Sequence, residues 1–333
     1  MKPLVSILIP AYNAEKWIGD TIRSAIQQTW LNREIIIVDD GSKDSTLSIA
    51  KSFASASVKI ISQENKGASA ARNTAYSHAQ GDFIQWLDAD DILAPDKIEQ
   101  QIKRLTIDNS SMTLYSSAFG LFYYRYQRSK FYPDSLWRDY LQPLEWMIIK
   151  FRENLWMSLD AWLINRTLTD IVGRWNENLS MNDDGEYICR VVLACNKIVF
   201  VPESISYCRI GNLGSLSTLR TLKACTSLFL SHKSCIEQLC KMENSDRTKQ
   251  ASLIALQNCF IYYYPDYPDL IEKAVNLTIE LGGELHYPTL NWKYNWIKEI
   301  FGWKAAILAK QTMPKVKTVA RKSLDKLLYS LSI

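Results

Sequence analysis

Two periods of hydrophobicity share the first part of the chain. Residues 5–10 (VSILIP), 34–38 (EIIIV), 58–62, 83–87 and 112–118 are short, mostly apolar runs closed by turn residues, which predicts strands buried on both faces. Between the first two, Trp17, Ile18, Ile22, Ala25 and Ile26 recur on one helical face, and residues 95–105 predict another helix, with Pro95 suited to a first turn. Ser42 reads as the N-cap of the helix after the second strand, with Asp44 favoured in its first turn. Gly67 permits close backbone approach where a further helix starts. A helix from residue 182 to about 194 and a strand over 198–201 follow, and residues 219–280 read as amphipathic helices. Strands alternating with helices at this spacing predict a parallel α/β sheet.

The polar residues that interrupt this pattern gather at one edge. Parallel α/β sheets bind ligands beyond the carboxyl ends of their strands. Here those ends read Pro10-Ala11-Tyr12, Asp39-Asp40 and Asp88-Ala89-Asp90-Asp91. Three carboxylates within four positions must be solvated or paired with a cation. Hard oxygen ligands of this kind suit Mg²⁺ or Mn²⁺, which complete their shell with water and substrate phosphates. Each acidic turn taken alone is also explained by helix capping; their shared edge favours a site. A second acidic centre, Asp183-Asp184, opens the helix at 182, where the helix dipole alone would favour carboxylates.

Composition narrows the class. Hydrophobic residues make up 47% of the 333 and charged residues 22%, ordinary for a folded chain. The seven cysteines form no CxxC pair, which predicts a reduced, cytoplasmic protein without a disulfide framework or zinc site. No signal-peptide pattern precedes Val5, and no window offers the ~18 apolar residues of a membrane span. The net charge of +4 is unevenly spread: residues 286–333 carry nine Lys or Arg against two acids, leaving 30 basic and 33 acidic residues before them. In that tail Trp292, Trp296, Ile300, Trp303 and Ile307 fall on one helical face with Lys293, Lys298, Lys304 and Lys310 off it; after Pro314, Val316, Ala320, Leu324, Leu327 and Leu331 line a second basic helix. Two readings stay open: an interfacial helix on the anionic inner face of the plasma membrane, or a helix packed on the body or on a second subunit. Residues 119–180 are rich in Tyr and Trp, which serve equally as stacking faces for a ligand and as core.

PAYN at 10–13, DDGSKDST at 39–46, NKGASAARN at 65–73 and DADD at 88–91 resemble, in order and spacing, the successive motifs of inverting family 2 glycosyltransferases with the GT-A fold. The resemblance covers roughly the first 210 residues. It implies a GT-A, Rossmann-like, mostly parallel sheet over residues 1–218, followed by a helical region over 219–333. It also implies transfer of a sugar from a nucleotide diphosphate sugar, UDP-linked by preference, with Mn²⁺ or Mg²⁺, to a glycan or lipid-linked acceptor.

Carried over residue by residue, Pro10, Ala11 and Tyr12 would contact base and ribose. Asp40, or Asp39 in second place, would accept the ring N–H of a uracil-type base. Arg72 would lie near the base or diphosphate, Asp88 by the ribose and metal, and Asp90 on the metal. The acidic pair six residues before Arg190 would hold the base, Asp184 ahead of Asp183, and Arg209 would touch the diphosphate beside a closing loop over 211–217. The Gln-x-x-Arg-Trp motif of processive relatives is missing, since Ile171 stands three positions before Arg174-Trp175, so addition of single sugars is expected.

A sugar nucleotidyltransferase would show a glycine-rich loop after the first strand, which Pro10-Ala11-Tyr12-Asn13 is not. A nucleic-acid binder would leave both acidic centres repelling phosphate, so no nucleic-acid partner is expected. The oligomeric state is not legible.

Overall fold

The computed structural model describes residues 2–105, 110–211, 220–286, 292–312 and 315–331. Strands β1 (Val5–Ala11), β2 (Arg33–Asp39), β3 (Val58–Ser62) and β4 (Phe83–Trp86) lie parallel in the order β3-β2-β1-β4. Helices α1 (Ile18–Ile26), α2 (Thr46–Lys51) and α3 (Ala68–Ser77) make the crossovers. The apolar runs are unbroken because both faces are covered. Ile7, Ile9, Ile35 and Ile37 pack with Ile18 and Ile22 of α1, while Leu8, Ile36 and Val38 face Ala71 and Ala75 of α3 and Trp86.

A second sheet begins with the short β5 (Ile92–Leu93) and, after α4 (Lys97–Leu105), contains β6 (Thr113–Phe122) and β7 (Lys130–Phe131). Then come α5 (Pro143–Arg152), the edge strand β8 (Ile164–Asn165) antiparallel to β4, α6 (Arg166–Val172), α7 (Asp183–Ala194) and β9 (Lys197–Arg209). β9 pairs in parallel with β6 and antiparallel with β5. The acidic turn 88–91 therefore lies where the chain leaves one sheet for the other.

Three expectations in this part of the chain need correction. The strand expected over 198–201 runs through Pro202 to Arg209, its register with β6 shifting between Ser117 and Ala118, which absorbs the missing N–H. Ser42 is not a helix cap: α2 begins four residues later with Ser45 at its N-cap position, and the Ser42 hydroxyl accepts the Asn13 N–H at 3.0 Å. Gly67 is required for its φ of 94° at the start of α3, since a Cβ there would meet nothing within 4 Å.

The helical region is α8 (Leu222–Met242), α9 (Asp246–Tyr263), α10 (Pro268–Glu280), α11 (Trp292–Thr312) and α12 (Lys315–Ser330). Buried residues of α8–α10, such as Phe229, Leu239, Leu256 and Phe260, belong to the same apolar cluster as Leu8, Trp86 and Trp146. Gly302, with φ 79°, breaks α11 in two, so the expected stripe does not run its length: Trp292, Trp296 and Ile300 are exposed and Ile307 is buried. No described helix is long and apolar enough to cross a membrane.

Candidate active site

The first two strand ends are stitched into one surface. Lys43 N–H donates to Asn13 Oδ1 at 2.8 Å, Ala14 N–H to Thr46 Oγ1 at 2.7 Å, and Glu15 N–H to Asp44 Oδ2 at 3.1 Å. Pro10 and Ala11 are buried in β1, whereas Tyr12 is 51% exposed, an aromatic face open to solvent.

Asp39 and Asp40 are both buried but do different work. Asp40 Oδ1 accepts Gln63 Nε2 at 2.8 Å and Lys66 N–H at 2.9 Å, and its Oδ2 accepts Gly67 N–H at 2.8 Å. It thereby anchors the loop that leads into α3. Asp39 Oδ2 accepts Ser42 N–H at 3.3 Å, while its buried Oδ1 has no partner among the described residues. A buried carboxylate oxygen left unpaired is costly unless something arrives to satisfy it.

Arg72, on the second turn of α3, joins the two acidic centres. One of its terminal nitrogens donates to Asp183 Oδ2 at 2.7 Å and the other to Asp88 Oδ1 at 2.9 Å. Ser69 Oγ also donates to Asp183 Oδ2, at 2.9 Å. The guanidinium lies 4.4 Å from the Trp175 ring, which stacks on Tyr187 with centroids 4.1 Å apart. Asn73 holds Trp175 in place through both its backbone N–H and its carbonyl. Burial alone would lower the Arg72 pKa, but Asp183 and Asp88 carry it above its ordinary value. Arg190, six residues after Asp184, pairs with Glu186 at 2.9 Å and donates to the carbonyls of Val172 and Arg174, bracing the segment that delivers Trp175.

Asp183 and Asp184 open α7 behind Asn182, which takes a left-handed φ of 58° and exchanges hydrogen bonds with Ser231 of α8. Asp183 is committed to Arg72 and Ser69. Asp184 is half-buried, and burial, then the neighbouring Asp183, push its pKa up to about 6 against the pull of Arg72. The pair is thus divided between a structural carboxylate and a basic one.

Beneath the turn the acids continue. Asp91 is buried and accepts Arg209 N–H at 2.6 Å; burial, then Asp160, Asp90 and Asp88, raise its pKa well above the carboxylate range. Asp160 is raised likewise by burial, and burial lowers Lys97 beside it. The sequence carried no signal for Asp160 or Lys97, which sit on other elements and meet only in the fold. Arg209 donates to the carbonyls of Asp90 and Tyr123, both at 2.9 Å, between the rings of Trp17 (3.9 Å) and Phe122 (4.4 Å). It braces the acidic turn from below. The expected closing loop lies, apart from Gly211, outside the described residues.

Among the described residues no cluster of three metal-ligating side chains occurs. Asp88 and Asp90 would supply the one or two carboxylates that a Mg²⁺ or Mn²⁺ ion takes when phosphates and water complete its shell, and they fit that donor set.

Residues 6–162 match the family described as Glycosyl transferase family 2. This chain carries a family 2 glycosyltransferase domain. Among curated relatives, the domain is 43% identical over 109 residues to UDP-Glc:alpha-D-GlcNAc-diphosphoundecaprenol beta-1,3-glucosyltransferase WfgD of Escherichia coli, covering 32% of this chain and 43% of WfgD. It is 42% identical over 114 residues to an uncharacterized glycosyltransferase of Rickettsia prowazekii, covering 34% of this chain and 36% of that protein. The chain therefore spans less than half the length of these relatives. Residues 1–349 of S. aureus TarS, crystallised with UDP-GlcNAc, superpose with a TM-score of 0.60 at 16% identity, covering 87% of this chain and 95% of that one. That likeness establishes the fold of this glycosyltransferase domain as GT-A.

Proposed function

We propose that the chain transfers a single sugar from a UDP-linked donor to an acceptor hydroxyl, with inversion at the anomeric carbon. One observation carries the reading: Arg72 ties Asp183 to Asp88, which leaves Asp184, with a pKa of about 6, within electrostatic reach of the turn that ends β4. In this reading Tyr12 stacks on the base, with Pro10 and Ala11 shaping the wall behind it. Asp39 Oδ1, the buried oxygen without a partner, takes the ring N–H in preference to Asp40, whose oxygens already hold the loop. Asp88 lies by the ribose, and Asp90 with Asp88 would hold Mn²⁺ or Mg²⁺. When bound, the ion would offset charge on the diphosphate. Arg72 and Arg209 position the acidic centres.

Asp184 accepts the proton of the acceptor hydroxyl as its oxygen bonds to the anomeric carbon and the bond to UDP breaks on the opposite side. A base with a pKa near 6 is ionised at neutral pH yet takes a proton more readily than an ordinary Asp. Both the UDP-GlcNAc held by TarS and the UDP-Glc in the name of WfgD support the choice of donor. WfgD's named acceptor is a lipid diphosphate, which supports a glycan or lipid-linked acceptor here and work at the cytoplasmic face of an anionic membrane. Exposed Trp292, Trp296, Ile300 and Phe301 on the first half of α11, interleaved with Lys293 and Lys298, suit such a surface.

Calorimetry with UDP and Mn²⁺, followed by donor hydrolysis across UDP-sugars, tests the reading. Metal-dependent UDP binding that disappears in Asp90→Ala is expected. Unchanged affinity in that variant removes Asp90 from the site.

A further inference from the structure

Outside the cleft, the described surface has a hollow whose lining mixes aromatic faces with polar groups. Phe119 and Leu121, two apart on β6 and so on one face of it, form the floor. Tyr132, Asp134, Asn154 and Trp156 form the walls of a cavity of about 260 Å³. Trp156 is 48% exposed although its ring packs 5.0 Å from Phe119, and Tyr132 is 62% exposed. Two large rings left open around one hollow offer apolar faces to a ligand. Asp134 Oδ1 accepts the Leu136 N–H at 2.8 Å, while no hydrogen bond among the described residues reaches Oδ2. Asn154, held at a left-handed φ of 53°, adds an exposed amide.

We propose that this hollow binds a neutral sugar unit of the acceptor glycan. The inference rests on the glycosyl-transfer reading and names the part of the protein that would select the acceptor. Sugar rings offer C–H faces to Trp156 and Tyr132 and hydroxyls to the Asp134 carboxylate and Asn154 amide. Asp134 disfavours phosphate, so the occupant is the glycan and not the diphosphate of a lipid carrier. The volume, below the ~300–1,000 Å³ of drug-sized sites, suits a small unit. Position fits as well. On β6, Leu121 pairs with Cys208 and Phe122 with Arg209, and the Tyr123 carbonyl holds Arg209 under the acidic turn. Phe119 lies roughly 13 Å back along that strand by its rise, so a chain of sugars could reach from the hollow to the cleft.

Saturation-transfer NMR on the full chain tests this, with neutral tetrasaccharides ending in glucose, galactose, N-acetylglucosamine or N-acetylgalactosamine. At least one should bind the wild type. Trp156→Ala should weaken it about tenfold, the value of one stacked ring. Trp156→Phe should keep most of the affinity, and both variants should bind UDP as the wild type does. Equal glycan affinity in Trp156→Ala, or a wild type that binds UDP but no tetrasaccharide, overturns the inference. A wild type that binds neither removes the glycosyl-transfer reading and this inference together.

Discussion

At the scale of residues, neighbouring acids in each pair have separate tasks. Asp40 spends both oxygens on backbone and Gln63, whereas Asp39 keeps a buried oxygen unpaired. Asp39→Ala should therefore weaken UDP binding about tenfold or more with little change in melting temperature. Asp40→Ala should chiefly lower the melting temperature. Calorimetry and thermal melts on the two variants separate the roles, and the reverse pattern would restore Asp40 as the base contact. Asp184→Asn should keep near-normal UDP affinity while transfer falls roughly 10²–10⁴-fold. In the wild type, transfer should decline as pH drops through about 6, where Asp184 takes up its proton. The linkage has the opposite sign for stability. A raised folded pKa means the native state binds the extra proton between the ordinary Asp value and about 6, so stability falls as pH rises through that window. Asp184→Asn should then gain on the order of 1 kcal/mol at pH 7.5, read by urea unfolding at two pH values. Arg72→Met leaves Asp183 and Asp88 without their cation and should cost about 3–5 kcal/mol in the same assay.

At the scale of elements, the basic tail divides into two unlike helices. α12 docks on the body: Asp325 accepts the N–H groups of Tyr124 and Arg125 at 2.9 and 3.3 Å and pairs with the Arg125 guanidinium at 2.7 Å. Lys322 donates to the Gly211 carbonyl, and Tyr329 packs 6.0 Å from Tyr124. Of its expected apolar stripe, Leu327 and Leu331 are exposed, and the side chains of Val316, Ala320 and Leu324 lie outside those described. Burial alone would raise the Asp325 pKa, but Arg125 and the two N–H groups hold it below the ordinary value. The docking energy is thus present at neutral pH and is lost as pH falls through that lowered pKa. Asp325→Ala should speed hydrogen exchange across α12 while leaving β1–β4 protected. In α11 the two ends differ: Lys304 pairs with Asp266 at 2.8 Å, whereas Trp292 is 75% exposed. Co-sedimentation with anionic liposomes at low salt is expected, weakening as salt screens the lysines. Trp292→Ser with Trp296→Ser should abolish the part that survives salt. Indifference of the wild type to such liposomes would leave α11 as a packing element.

At the scale of the whole molecule, α8–α10 share one apolar cluster with α5, α7 and β4, and Ser227 of α8 accepts the Ser180 and Met181 N–H groups just before Asp184. A chain ended at residue 218 should fail to melt cooperatively, while one ended at 286 should melt as a unit. Differential scanning calorimetry distinguishes them. The α/β order and the gathering of the candidate acids at the strand ends were legible in the sequence, because strand and helix periods and turn residues are local properties. So were Tyr12 and the acidic turn, since short motifs carry their own chemistry to a strand end. The division of labour was not. Which of Asp39 and Asp40 is spoken for depends on whether Gly67 N–H, 27 positions on, arrives beside the carboxylate. The resemblance puts Arg72 near the base or diphosphate; that Asp183, 111 positions away, closes on it is visible only in the fold. The resemblance puts Arg209 at the diphosphate; the carbonyls and two rings that surround it are visible only in the fold. Sequence patterns report what a side chain can do; its partners, burial and pKa are set by long-range contacts that only the folded chain brings together.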